Sequence, residues 1–197
     1  MVQMPMIRRD PAVECAIPFF RDHVERAMAR QRLSANELTA FYIVHLLASF
    51  LPRADHAADS EPMAVRLLRA LETGGVSQRA GLKSVADESL FVSGFFSDSL
   101  RRKLVDVDYY VTLGGSAYQT LSRLESDTFA PVFAELGEKF VAFVDVLSDI
   151  SEHTSCTSNA DLLRLYDRWQ KTGSRRCGQL LIERGFTEPP GKGVRPA

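Results

Sequence analysis

SVADESLFVSGFFSDSLRRKLVDVDYYVTLGGSAYQTLSRL, residues 84–124, decides the fold. From Val107 onward the apolar and small residues fall at Val107, Tyr110, Val111, Gly114, Ala117, Tyr118, Leu121 and Leu124. Steps of three and four residues mark one face of a helix. Asp108, Thr112, Gln119 and Arg123 fall mostly on the other side, and Asp106 or Asp108 suits the positive end of the helix dipole. The segment 82–96 predicts a second helix, apolar over much of its circumference, with Gly94 as a close-packing position. The pair reads as a buried central hairpin.

Gly114 and Gly115 each cost such a helix about 1 kcal/mol relative to Ala. Their presence therefore points to close approach by another helix, to a kink, or to a bound ligand. If the face packs against a helix, Gly114→Leu should destabilise the chain, while Gly114→Ala should be neutral or stabilising. Asp87 and Glu88 interrupt the apolar surface of the first helix. Neighbouring carboxylates on a helix diverge by about 100°, so they form no tight acid dyad. They read as a helix-start or surface pair, or as one buried carboxylate facing Tyr109, Tyr110 or Tyr118.

Working outward, Pro18 suits a helix first turn, with Phe20, Val24, Ala27, Met28 and Gln31 following at helical spacing. Ser34 and Glu37 have the spacing of a capping box, with Leu33 and Leu38 as a hydrophobic staple. The helix this opens, through FYIVHLLASFL and up to Pro52, is apolar on nearly every side. Ser60 and Pro62 start a helix whose apolar positions are Val65, Leu68 and Leu71, stopped by Gly74 and Gly75, with VSQRAG as a connector. Ser126 to Thr128 offer a cap and Pro131 a first-turn proline for one long amphipathic helix reaching about Ile150. A second capping box at Ser158 and Asp161 opens a helix carrying Leu162, Leu165, Tyr166 and Trp169. A last short helix through Leu180 and Leu181 closes at Gly185, with Phe186 placed for a Schellman contact.

No stretch alternates with period two, and no hairpin dipeptide appears. The expected fold is all-α, a single-domain bundle of roughly seven to nine helices. Residues 1–10 read as a flexible arm, 11–186 as the helical domain and 187–197 as a disordered tail.

Composition narrows the chemistry. Of 197 residues 45% are hydrophobic and 25% charged, which suffices for a sizeable core. The net charge of −1 gives no global argument for nucleic acid or an anionic membrane. Arg164, Arg168, Lys171 and Arg175 could form a basic stripe, read here as a solvated face or one that pairs with the acidic stretch 125–152. Three cysteines, without a C-x-x-C spacing, fit free thiols in a reducing cytoplasm. The first residues have no apolar run behind their charges, so a signal peptide is not expected, and the near-apolar run 40–51 is short for a bilayer. The localisation expected is cytoplasmic.

None of His23, His45, His56 and His153 follows a Glu by three residues, and H-E-x-x-H, G-x-G-x-x-G, Walker A and G-x-S-x-G are absent. No catalytic residue, metal ligand set, nucleic-acid site or cofactor is assigned. The expected function is a non-enzymatic one, binding another protein or a second copy of itself. The alternative is a helical pocket that binds, or acts on, an apolar or aromatic small molecule, lined by His45, Tyr42, Tyr110, Gly114 and Tyr118. His45 reads otherwise as a hydrogen-bonded core histidine.

Overall fold

The computed structural model describes residues 11–50, 61–95, 107–153, 169, 175–183 and 186. Eight helices run through these residues, with no strand among them. They are α1 (Pro11–Gln31), α2 (Glu37–Phe50), α3 (Met63–Glu72), α4 (Gly75–Phe95), α5 (Val107–Leu124), α6 (Ala130–Glu138), α7 (Phe140–His153) and α8 (Arg175–Glu183). None of the described helices is long and apolar enough to cross a membrane. The arm, the tail, the second capping box, Gly185 and the side chains of the basic stripe lie outside the described residues.

The central hairpin is present. α4 packs most extensively on α5, then on α7 and α3. Leu82, Val85, Ala86, Leu90, Phe91 and Phe95 of α4 are buried, and Ala117, Tyr118 and Leu121 of α5 meet them in one core. That closeness depends on missing side chains. A Cβ at Gly94 would lie 2.4 Å from Leu147 Cβ on α7. One at Gly114 would lie 2.4 Å from the Phe140 ring and 2.7 Å from Ser89 Cβ. Real carbon atoms do not approach so closely, so a methyl at Gly114 forces the helices to move. The expectation that Gly114→Ala is harmless is corrected by this distance. The helix itself continues through both glycines.

Several boundaries differ from the spacing-based reading. α1 begins seven residues before Pro18, which lies inside it. Pro18 and Glu14 are both exposed, so water can take the carbonyl that the missing N–H frees. α4 begins at Gly75, whose φ of +62° marks the break, so VSQRAG is helical. The long helix to Ile150 is two helices, turned at Lys139 with φ −101° and ψ 25°. Val65, Leu68 and Leu71 of α3 face outward, and the helix packs inward through Met63 and Ala70.

The cap of α2 is Asn36, not Ser34. Asn36 Oδ1 accepts from the Leu38 N–H at 2.9 Å, and its carbonyl from the Ala40 N–H at 3.0 Å. The acid that completes a capping box comes from another helix. Glu135 of α6 accepts from the Asn36 N–H at 3.0 Å and from the Thr39 hydroxyl at 2.6 Å. Lys139 donates both to Glu135 and to the Ser34 carbonyl, at 2.8 Å each. Burial pushes the Glu135 carboxyl up, but the bonds from Lys139, Thr39 and Asn36 outweigh it and hold it below its ordinary value.

Elsewhere the termini behave as their residues suggest. α1 ends in a Schellman pair, Leu33 N–H to Met28 O at 2.9 Å and Arg32 N–H to Ala29 O at 3.2 Å. Arg32 takes the left-handed position, φ 53°, that glycine usually fills. Phe186 N–H donates to Leu181 O at 3.1 Å, the six-residue bond of a Schellman end on α8. Its ring is buried and stacks 4.9 Å from Phe19, which ties α8 to α1. Pro131 does stand in the first turn of α6.

Candidate functional site

Where α2, α4 and α5 meet, one carboxylate organises the crossing. Asp87 lies twelve residues into α4, at mid-helix and not at a helix start. Its Oδ1 accepts from the hydroxyl of Tyr42 on α2 at 2.6 Å and from the hydroxyl of Tyr118 on α5 at 2.7 Å. Its Oδ2 faces Lys83, one turn earlier on α4 and more exposed. The Lys83 ammonium also stands 5.0 Å over the Tyr42 ring, a cation–π placement. Phe133 of α6 closes the crossing, edge-on to Tyr42 at 5.6 Å and roughly parallel to Tyr118 at 6.0 Å.

The electrostatics follow from burial. Loss of water, then the Asp87 charge, pushes both tyrosine hydroxyls well above their ordinary value. Both therefore stay protonated at neutral pH and act as donors, not as phenolate bases or nucleophiles. With Oδ1 taken twice and Oδ2 paired with Lys83, every partner in the cluster is engaged. The arrangement clamps three helices together, in the manner of a satisfied buried network.

The other residues picked out by sequence lie elsewhere. His45 is half-buried, its ring 4.1 Å from that of Phe41. Burial, then the charge of Arg21, lowers its pKa and favours the neutral ring. Tyr110 stacks edge-on to Tyr109 at 5.3 Å, and burial, then Tyr109 and Glu88, raises its pKa. The Tyr109 hydroxyl accepts from the Ala64 N–H at 2.9 Å, capping α3 from outside because Pro62 has no side chain to do so. Gly114 lies under the Phe140 ring, whose centroid is 6.1 Å from that of Tyr118. So Tyr42 and Tyr118 come together on Asp87, Gly114 adjoins them through Phe140, and His45 and Tyr110 stand apart.

Lys83, Glu135 and the Arg30–Asp149 pair went unnoticed in the sequence. Arg30 of α1 grips Asp149 of α7 through Nε at 2.9 and 3.2 Å and through Nη2. Lys83 and Glu135 had a local signal, their four-residue spacings from Asp87 and Lys139, and the Arg30–Asp149 pair had none.

No protein-family model, curated protein or solved structure matches this chain.

Two surface features remain. An open groove of about 480 Å³ runs between α5 and the α6–α7 corner, past Val111, Gly115, Gln119, Gly137 and Val141. None of the five singled-out residues lines it. Among the described residues, no group of three His, Cys, Asp or Glu is placed to hold a metal ion. The second feature is the outer side of α3. Val65, Leu68 and Leu71 are 43%, 57% and 46% exposed there, and Val76, just past the turn into α4, is 68% exposed.

Proposed function

We propose that this protein acts by binding another protein through the outer face of α3, without catalysing a reaction. The observation that carries the reading is that the apolar arc of α3 is wider than the part the described residues bury. Met63 and Ala70 serve the interior, with Leu67 packed against the core. Among the described residues, nothing buries Val65, Leu68 and Leu71. Steps of three residues fan them over about 120° of the helix, so they form one contiguous patch. Singly exposed aliphatic residues are ordinary, but a contiguous, rimmed patch marks an interaction surface. Polar residues stand beside it: Arg69, paired to Glu61, and exposed Glu72, one turn from Leu68. The buried crossing at Asp87, with its hydrogen bonds satisfied, supports a scaffold role for the centre of the molecule.

Site-specific photocrosslinking in cells tests the reading. A benzophenone side chain at position 68 should give a discrete adduct of higher mass, and one at exposed Ser116 on α5 should not. Bare chain alone from position 68, or the same adducts from both positions, would overturn it.

A further inference from the structure

We propose that the joint between α2 and α6 is an acid-released latch: a proton on Glu135 frees the first turn of α2 while the rest of the bundle stays folded. What carries this is a carboxylate set among donors. Glu135 Oε2 accepts from the Asn36 N–H at 3.0 Å and from the Thr39 hydroxyl at 2.6 Å, and Oε1 accepts from the Lys139 ammonium at 2.8 Å. An ammonium and a backbone N–H have no lone pair to offer. A protonated Glu135 therefore sets its own O–H against Lys139 or Asn36, and only the Thr39 hydroxyl can turn to receive it. The three bonds suit a carboxylate and do not suit a carboxylic acid. The helices packed against α6 are α5, α2 and α7, and the charged group that acts on Glu135 is Lys139. Glu37, next to Asn36 in the chain, and Glu138, next to Lys139, are exposed, and water screens them.

The latch stands at a narrow joint. α2 packs mainly on α1 and touches α6 over a short stretch. In that stretch Glu135 holds Asn36 and Thr39, and Phe133 meets Tyr42 edge-on. Lys139 extends the tie to the turn before α2, donating to Ser34 O at 2.8 Å. One proton thus loosens the amide at 36, the hydroxyl at 39 and, through Lys139, the carbonyl at 34. The bonds left at the turn lie within the α1–α2 hairpin, Leu33 N–H to Met28 O and Ala40 N–H to Asn36 O. α1 has an anchor of its own, Arg30 on Asp149 of α7. The opening is accordingly local, of the kind a small part of a fold undergoes without global unfolding. Thr39 is fully buried, so the opening brings water to the edge of the crossing at Tyr42 and Asp87. Burial raises the Glu135 carboxyl, and the bonds from Lys139, Thr39 and Asn36 bring it below its ordinary value. The joint is therefore tightest above the ordinary glutamate value and loosens as pH falls through the lowered one.

Amide hydrogen exchange of the full chain, followed by NMR from neutral to acid pH and corrected for the intrinsic pH dependence of exchange, tests this. Protection of the Asn36 amide should fall by up to about tenfold per pH unit between the ordinary and the lowered glutamate values. Protection of Leu121, in the core of α5, should hold over the same range. Glu135→Gln, which cannot ionise, should leave Asn36 weakly protected at neutral pH already, with no further fall. Lys139→Gln, which removes the opposing charge, should move the fall to higher pH. Constant protection at Asn36 overturns the proposal, and so does its loss together with that of Leu121, since the opening would then be global. A Glu135→Gln protein that keeps the wild-type pH dependence, or a Lys139→Gln protein whose fall stays at the wild-type pH, overturns it as well.

Discussion

Tyr118 donates its hydroxyl to a carboxylate that Tyr42 also serves, so removing it leaves Asp87 with one acceptor position less satisfied. Hydrogen bonds to charged groups are worth about 1.5–3 kcal/mol. Tyr118→Phe should cost an amount in that range, read as a lowered urea midpoint with an unchanged slope. The raised tyrosine values add a pH dependence. A group whose folded pKa lies above its unfolded one stabilises the fold fully below the unfolded value. That stabilisation is lost as pH rises through the folded value. Stability should thus hold steady up to about pH 10, the ordinary tyrosine value, and fall above it. With one shifted tyrosine fewer, Tyr118→Phe should fall less steeply. Identical alkaline slopes in the two proteins would mean that Tyr118 does not titrate from this environment. The sequence made Tyr42, Tyr118 and a buried carboxylate visible. Tyr118 was one of three tyrosines the sequence offered to a buried carboxylate at 87 or 88; that the acid is Asp87 and that Tyr42 joins it was not legible, because hydrogen bonds between residues 31 or 45 positions apart have no local spacing. Placing the start of α4 seven residues late also pushed Asp87 towards a helix end, where an acid needs no partner.

At the scale of the elements, periodicity found most helices and missed many of their ends. Apolar spacing follows from which face is buried, and that is local and repeated. Caps depend on single contacts, and here those contacts come from other helices: Glu135 completes the α2 start and Tyr109 the α3 start. Asn36→Ala should therefore cost about 1 kcal/mol in equilibrium unfolding, while Ser34→Ala, which removes only an exposed hydroxyl, should cost almost nothing. The reverse ranking would restore Ser34 as the cap. Close packing gives a second test between elements. Because a methyl on Gly114 meets both Phe140 and Ser89, Gly114→Ala should destabilise by about 1–3 kcal/mol despite its better helix propensity. A thermal midpoint equal to or above that of the wild type would show that α5 and α4 have room to part.

For the molecule as a whole, the all-helical architecture and the central α4–α5 hairpin were legible, since both rest on pattern and on small residues in long apolar segments. The outer face of α3 was not. Val65, Leu68 and Leu71 have the spacing of a core-facing stripe, and a sequence does not say which part of a broad apolar arc the chain itself will bury. That ambiguity is also the substance of the functional reading, since a face the chain does not need is one it can offer. The most direct measurement is the pair of thermal midpoints for Ala70→Asp and Leu68→Asp in dilute solution. Ala70 lies on the inner face of α3, where its Cβ stands 2.8 Å from the position a Cβ on Gly81 of α4 would take. A charge buried there should lower the midpoint steeply. Leu68 lies on the outer face, and a charge there should leave the midpoint within the roughly 0.5 kcal/mol typical of surface changes. A steep fall for Leu68→Asp, matching that of Ala70→Asp, would contradict the account, because the outer face would then belong to the chain's own core.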